Sequence, residues 1–147
     1  MKLRLSLLAL AALALSTSAR AGDPGADYLQ KAAKEKDAVK TPSGLVYRSL
    51  KDGAGAKPSA SSTVQVNYRG TFVDGKEFDA SAKHGGPATF PLNAVIPCWT
   101  EGVALMKVGG KAQLVCPAQI AYGAGGRPGI PPNSTLVFEV ELLAIQK

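Results

Sequence analysis

The sequence predicts an α+β domain: an antiparallel sheet with one short helix laid across it and a short helical segment ahead of it. Three observations lead there. Several stretches alternate apolar and polar residues with the period of a strand. One interior segment places large apolar residues at helical spacing between a Pro and a Gly pair. Clusters of Gly, Pro and Asp punctuate the chain between these stretches.

Residues 1–21 read as a secretory signal peptide. Lys2 and Arg4 make a basic start, Leu5 to Leu15 is apolar apart from Ser6, and Ala19 and Ala21 put small residues where a signal peptidase reads. The apolar run is shorter than the roughly 20 residues a membrane span needs. Cleavage after Ala21 would therefore leave a chain with no membrane attachment. The whole chain of 147 residues has 17 basic and 11 acidic side chains, a formal net charge of +6. Lys2, Arg4 and Arg20 fall in the signal, and the basic residues beyond it are scattered without a stripe, which argues against nucleic-acid binding.

Residues 22–43 read as an N-terminal helical or linker segment. Ala26 to Val39 suits a short helix, but its apolar face is thin (Tyr28, Leu29, Ala32, Ala33), and Thr41-Pro42-Ser43-Gly44 breaks it. The working domain is expected to span residues 44–147. Lys51 to Ser62 is a loop by composition. Val64, Val66 and Tyr68 then alternate with Gln65, Asn67 and Arg69, and Asp74-Gly75 supplies a turn between Phe72 and Phe78. Trp99, Val103 and Met106 share one helical face, with Pro97 suited to the first turn and Gly109-Gly110 to the end. Ala112, Leu114 and Cys116 alternate with Lys111, Gln113 and Val115. Leu136, Phe138, Val140 and Leu142 alternate with Val137, Glu139, Glu141 and Leu143, so each strand is expected to have one wetter face. Between these two strands, Tyr122 to Pro132 is rich in Gly and Pro, a loop fit to overhang a cleft.

The chain is poor in aromatics, with four Phe, four Tyr and one Trp. Five of them, Tyr68, Phe78, Trp99, Tyr122 and Phe138, sit in segments that also carry Asp79 and the pair Val95-Ile96. Together these would line one apolar pocket around a single polar group, the composition of a small-ligand site. Hydrolytic signatures are missing: there is no G-x-S-x-G elbow and no phosphate loop. The lone His84 stands in a segment, Lys83-His84-Gly85-Gly86, that reads as exposed surface. One His and two Cys at this spacing make a poor metal site, and no cofactor is implied. One reaction needs none of these groups. Rotation about an X-Pro amide is opposed by a barrier of about 20 kcal/mol, because resonance must be broken. The twisted amide is less polar than the planar one, so a dry aromatic pocket favours it.

Cys98 and Cys116 are an even pair in a chain expected to be exported, which permits one disulfide. Cys116 shares the inward face of Leu114, and Cys98 adjoins Trp99 at the helix start, so a bond would tie helix to sheet beside the pocket floor. Two free buried thiols are the alternative.

Three stretches carry a resemblance. VNYRGTFVDGKEFDAS (66–81), AVIPCWTEGVALMKVGGKAQLVCP (94–117) and AYGAGGRPGIPPNSTLVFEVELL (121–143) resemble the FK506-binding type of peptidyl-prolyl isomerase, in the family's order and spacing. The likeness covers about 100 residues and is greatest to the bacterial exported branch that includes the macrophage infectivity potentiator proteins. It implies a strongly bent, half-barrel antiparallel sheet wrapped on the helix. It implies rotamase activity, in which Tyr68, Phe78, Asp79, Tyr122 and Phe138 are catalytic and Val95, Ile96, Trp99 and Ile130 bind substrate. Trp99 would be the floor, while Tyr122 and the backbone of Ile96 would donate to substrate carbonyls. The implied partners are proline-containing segments of exported proteins that are still folding, with FK506- or rapamycin-type macrolides as inhibitors. A periplasmic, monomeric protein is expected. Departures from the best-known eukaryotic members are Ala88 for a Phe, His84 for an Arg, Arg127 for a His, and one Ile rather than two after Gly129. A binding module with the same pocket and negligible turnover is the competing reading.

Overall fold

The computed structural model describes residues 23–146, so the expected signal peptide lies outside the described residues. Helix α1 (Pro24–Ala33) is followed by strands β1 (Ala38–Lys40), β2 (Val46–Lys51), β3 (Thr63–Phe72), β4 (Glu77–Ala80) and β5 (Ala88–Pro91). Helix α2 (Pro97–Val103) comes next, then β6 (Lys111–Cys116) and β7 (Leu136–Gln146). All pairings are antiparallel, in the order β1-β2-β6-β7-β3-β4, with β5 beside the first half of β3. The sheet is thus open, with β1 at one edge and β4 and β5 at the other. Register shifts at Ser49/Lys51, Gln65/Val66 and Gly70/Thr71 bend the strands they interrupt. This is the predicted α+β class.

One face of the sheet carries the main core. Val64 and Val66 of β3, Ala112 and Leu114 of β6, and Leu136, Phe138, Val140 and Leu142 of β7 pack with Leu45, Leu92, Trp99 and Val103. Helix α2 begins at Pro97, where a missing N–H loses nothing. It lies close against β6 because Gly102 has no side chain. A Cβ there would stand 2.8 Å from both terminal carbons of Leu114. The predicted face holds for Trp99 and Val103, but α2 ends at Val103 and Met106 reaches the core from the turn beyond it. The disulfide Cys98–Cys116 fixes the first turn of α2 to the last residue of β6, with Cα atoms 5.8 Å apart.

Two expectations need correction. The N-terminal helix ends at Ala33 rather than Val39, because residues 38–40 pair with β2 as a strand, so part of the supposed linker belongs to the sheet. Asp23 caps this helix with a side-chain oxygen 2.9 Å from the Gly25 N–H. The second correction concerns the wetter faces of β6 and β7. Val115 and Val137 are buried there with Val46, under Ala32, Tyr28 and Leu29 of α1. The thin apolar face of α1 thus has a partner in three valines, two of which, Val115 and Val137, alternation alone assigned to the wetter face.

Candidate functional site

Trp99, on the first turn of α2, is enclosed by rings from three strands. Tyr68 of β3, Phe90 of β5 and Phe138 of β7 stand edge-on to it, with centroids 5.3, 5.5 and 5.4 Å away. Phe78 of β4 adds a second layer against Phe138 at 5.6 Å. Perpendicular rings at these distances are the favoured aromatic geometry. The indole is nearly buried and its Nε1 has no hydrogen-bond partner.

Above this floor opens a cavity of about 480 Å³, lined by Tyr68, Phe78, Asp79, Phe90, Ala94, Val95, Ile96, Trp99, Tyr122, Arg127 and Phe138. Its walls are gathered from four strands, α2 and two loops. Gly70 explains how the rings fit. It sits opposite both Phe138 on β7 and Asp79 on β4. A Cβ at Gly70 would lie 2.6 Å from Phe78 Cζ and 2.9 Å from Phe138 Cε1, so this missing side chain gives the two rings their place.

Eight of the nine residues singled out from sequence as pocket residues line this cavity. The exception is Ile130, buried in the main core and absent from the cavity wall. Its backbone exchanges hydrogen bonds with Arg127, at 3.0 and 2.8 Å, so Ile130 anchors the loop rather than touching the cavity. Sequence reading missed Phe90, Ala94 and Arg127. Phe90 had a signal, since Ala88 to Pro91 alternates around it, but a strand of four residues is too short to stand out.

Asp79 is the acid of the site, and three donors surround it. The Tyr68 hydroxyl donates to Oδ2 at 2.8 Å, His84 Nε2 donates to Oδ1 at 2.8 Å, and the Ala80 N–H reaches Oδ1 at 2.9 Å. Burial pushes the Asp79 carboxyl up, but donation from His84, Tyr68 and Ala80 outweighs it and holds the group below the usual carboxylate range. Burial, followed by donation to Asp79, drives the Tyr68 phenol well above its ordinary value. His84 is therefore more than a surface residue. Its side chain is largely exposed, yet its ring is bonded to the one acid in the cavity.

This arrangement predicts a measurable shift. A folded His84→Ala protein should titrate Asp79 at a higher pH than the native chain, as followed by carboxyl carbon NMR. The sign follows from the depressed native value. Asp79's stabilisation is present above its unfolded value of about 3.9 and is lost as pH falls through the lower folded value. Losing His84 raises the folded value toward the unfolded one, so the lower end of that window moves upward and the stabilisation shrinks. An unchanged Asp79 titration would show that His84 does not act on the carboxylate.

Tyr122, on the loop after β6, faces the cavity with Arg127 beside it. Arg127 Nη1 donates to the Tyr122 hydroxyl at 3.3 Å, and the guanidinium carbon lies 5.1 Å from the ring centre. The Tyr122 proton stays free to donate. Among the described residues, the Ile96 N–H has no backbone or side-chain acceptor, while its carbonyl caps α2 through Trp99 and Thr100. The site thus offers two donors at the edge of an aromatic floor.

Comparison with known proteins places this geometry. Residues 54–143 match the family model described as FKBP-type peptidyl-prolyl cis-trans isomerase. The chain is 54% identical over 122 residues to the FKBP-type peptidyl-prolyl cis-trans isomerase FkpA of Escherichia coli, covering 83% of this chain and 45% of that relative. The crystal structure of that protein aligns with a TM-score of 0.82 at 53% identity, over 84% of this chain and 58% of the other. A peptidyl-prolyl cis-trans isomerase from Pseudomonas syringae aligns with a TM-score of 0.80 at 33% identity, over 91% of this chain and 99% of the other. The outer membrane protein MIP of Legionella longbeachae is 46% identical over 110 residues, covering 74% of this chain and 47% of that relative. The chain spans about half the length of the curated relatives it matches.

Proposed function

The chain belongs to the FKBP-type peptidyl-prolyl cis-trans isomerases, and from that premise we propose that it catalyses rotation about X-Pro bonds in the Trp99 cavity. The observation that carries this reading is the aromatic cage around Trp99 with two free donors at its edge. The pyrrolidine ring sits on Trp99 between Tyr68, Phe78 and Phe138. Val95 and Ile96 close one side.

The barrier of about 20 kcal/mol comes from amide resonance. As the bond twists, conjugation is lost and the carbonyl becomes less polar. Water solvates the planar amide better than the twisted one, while this apolar cavity shows no such preference. Transfer into it therefore lowers the barrier by differential binding. The Tyr122 hydroxyl and the Ile96 N–H hold the flanking carbonyls, so the proline turns while the chain on either side stays fixed. Asp79 anchors the Tyr68 hydroxyl and so sets the tilt of that wall.

Further parts of the reading rest on the sequence. The substrates are proline segments of exported proteins in the course of folding, and FK506- and rapamycin-type macrolides compete for the cavity. Residues 1–21 direct export and are removed. The isomerase unit is residues 44–147 together with β1 of the preceding segment 22–43, and it acts as a single copy in the periplasm, with extracellular release as the other compartment. No helix among the described residues is long and apolar enough to cross a membrane.

The test is the cis-to-trans relaxation rate of a short Leu-Pro peptide with and without residues 22–147. Acceleration that a macrolide of this class blocks is the expected result. A folded chain that binds the peptide without accelerating it would leave the pocket as a binding module and overturn the enzymatic reading.

A further inference from the structure

We infer that Arg127 makes this cavity selective for prolines that have a carboxylate-bearing residue beside them in sequence. The inference deepens the isomerase reading and rests on it. Two charged side chains line the cavity, Asp79 and Arg127. Their free bonding capacity differs. Asp79 already accepts from Tyr68, His84 and Ala80, and it lies in the wall with its oxygens turned to those donors. Arg127 has five N–H donors, and its one side-chain hydrogen bond is the 3.3 Å bond to Tyr122. No carboxylate among the described residues pairs with it.

The guanidinium is also held in place. Arg127-Pro128-Gly129-Ile130 is a tight turn with reciprocal backbone bonds between its ends, and Gly129 takes the positive φ of 86° that the turn requires. Ile130, buried in the core, pins the far side of that turn. The Tyr122 ring supports the planar group from beneath. An exposed fork of donors, unpaired with any carboxylate among the described residues and resting on Tyr122 at the cavity's edge, matches a carboxylate in both charge and geometry. A lysine in the same place on a substrate would meet a like charge.

The experiment measures kcat/KM for the tetrapeptides Ala-Xaa-Pro-Phe and Ala-Leu-Pro-Xaa, with Xaa as Glu, Leu or Lys. It uses residues 22–147 and the Arg127→Gln and Arg127→Glu proteins, each checked for folding by circular dichroism. At low salt the native chain should favour Glu over Lys by about fivefold in at least one series, the size expected of an exposed pair. That ratio should fall to about one in Arg127→Gln, invert in Arg127→Glu, and shrink toward one in 1 M salt. The ratio cancels any general effect of Arg127 on Tyr122. Quenching of Trp99 fluorescence gives the same ratio for binding, independent of turnover. Leu-Pro turnover with a Glu-to-Lys ratio near one, or a ratio the variants leave unchanged, overturns the inference and leaves the isomerase standing. Absence of turnover with a charge ratio intact in binding overturns the isomerase and leaves the selectivity standing.

Discussion

Phe78→Ala is expected to lower kcat/KM for a Leu-Pro peptide by about 10- to 100-fold while leaving the protein folded. The ring lines the cavity beside Phe138, and its removal takes away one apolar wall. Burying a side chain of this size is worth about 1.5–3 kcal/mol, and each 1.4 kcal/mol withdrawn from the transition state is a factor of ten. Phe78 is only half-buried in the free protein, so truncation costs fold stability less than it costs the occupied cavity. Trp99→Ala should be more severe in both respects. Its indole is almost fully buried under three rings, and truncating such a residue costs about 3–5 kcal/mol of stability. Phe78 is therefore the sharper probe. Native turnover in a folded Phe78→Ala protein would remove this cavity from the reaction.

Replacing both cysteines by alanine should lower the unfolding free energy by about 3 kcal/mol, because the bond closes a loop with a sequence separation of 18. For a domain of this size that is a fall in Tm of roughly 10 °C. Denaturant unfolding of the oxidised native chain and the double variant gives the comparison, and titration of unfolded, unreduced protein should find no free thiol. Both cysteines are fully buried, so a reductant gains access to the bond only when the chain opens. Equal midpoints for the two proteins would mean that packing alone seats α2 on β6.

What the sequence made legible was local or periodic. The alternation of Val64, Val66 and Tyr68, the Asp74-Gly75 turn and the strand at Leu136 each depend on neighbours in the chain. Gly75 does adopt the positive φ of 93° that the turn requires. The pocket rings were legible because aromatics are scarce here and cluster in motif-bearing segments. What stayed hidden was set by contacts between distant segments. Val115 and Val137 look like solvent-facing residues until α1 is laid over them. Ala38 to Lys40 has no strand signal of its own and becomes a strand because the chain folds back beside Val46 to Arg48. His84 looked bland because nothing in its local sequence shows Asp79 five residues away turning an oxygen toward it. Ile130 was correctly placed on the loop but faces inward, where its contacts are with the core.

The position of β7 has a consequence for timing. It is the last of the described strands in sequence, yet it lies inside the sheet between β6 and β3. Its partners on β3 are far back along the chain, with Thr63 opposite Gln146 and Phe72 opposite Leu136. A chain emerging residue by residue therefore presents β3 and β6 with a gap between them until residues 136–146 arrive. The domain cannot consolidate piecemeal during synthesis. Its folding waits for β7, slowed by closing long loops before any pairing rewards it. Phe138 enters with β7, so the cavity itself is among the last things to form.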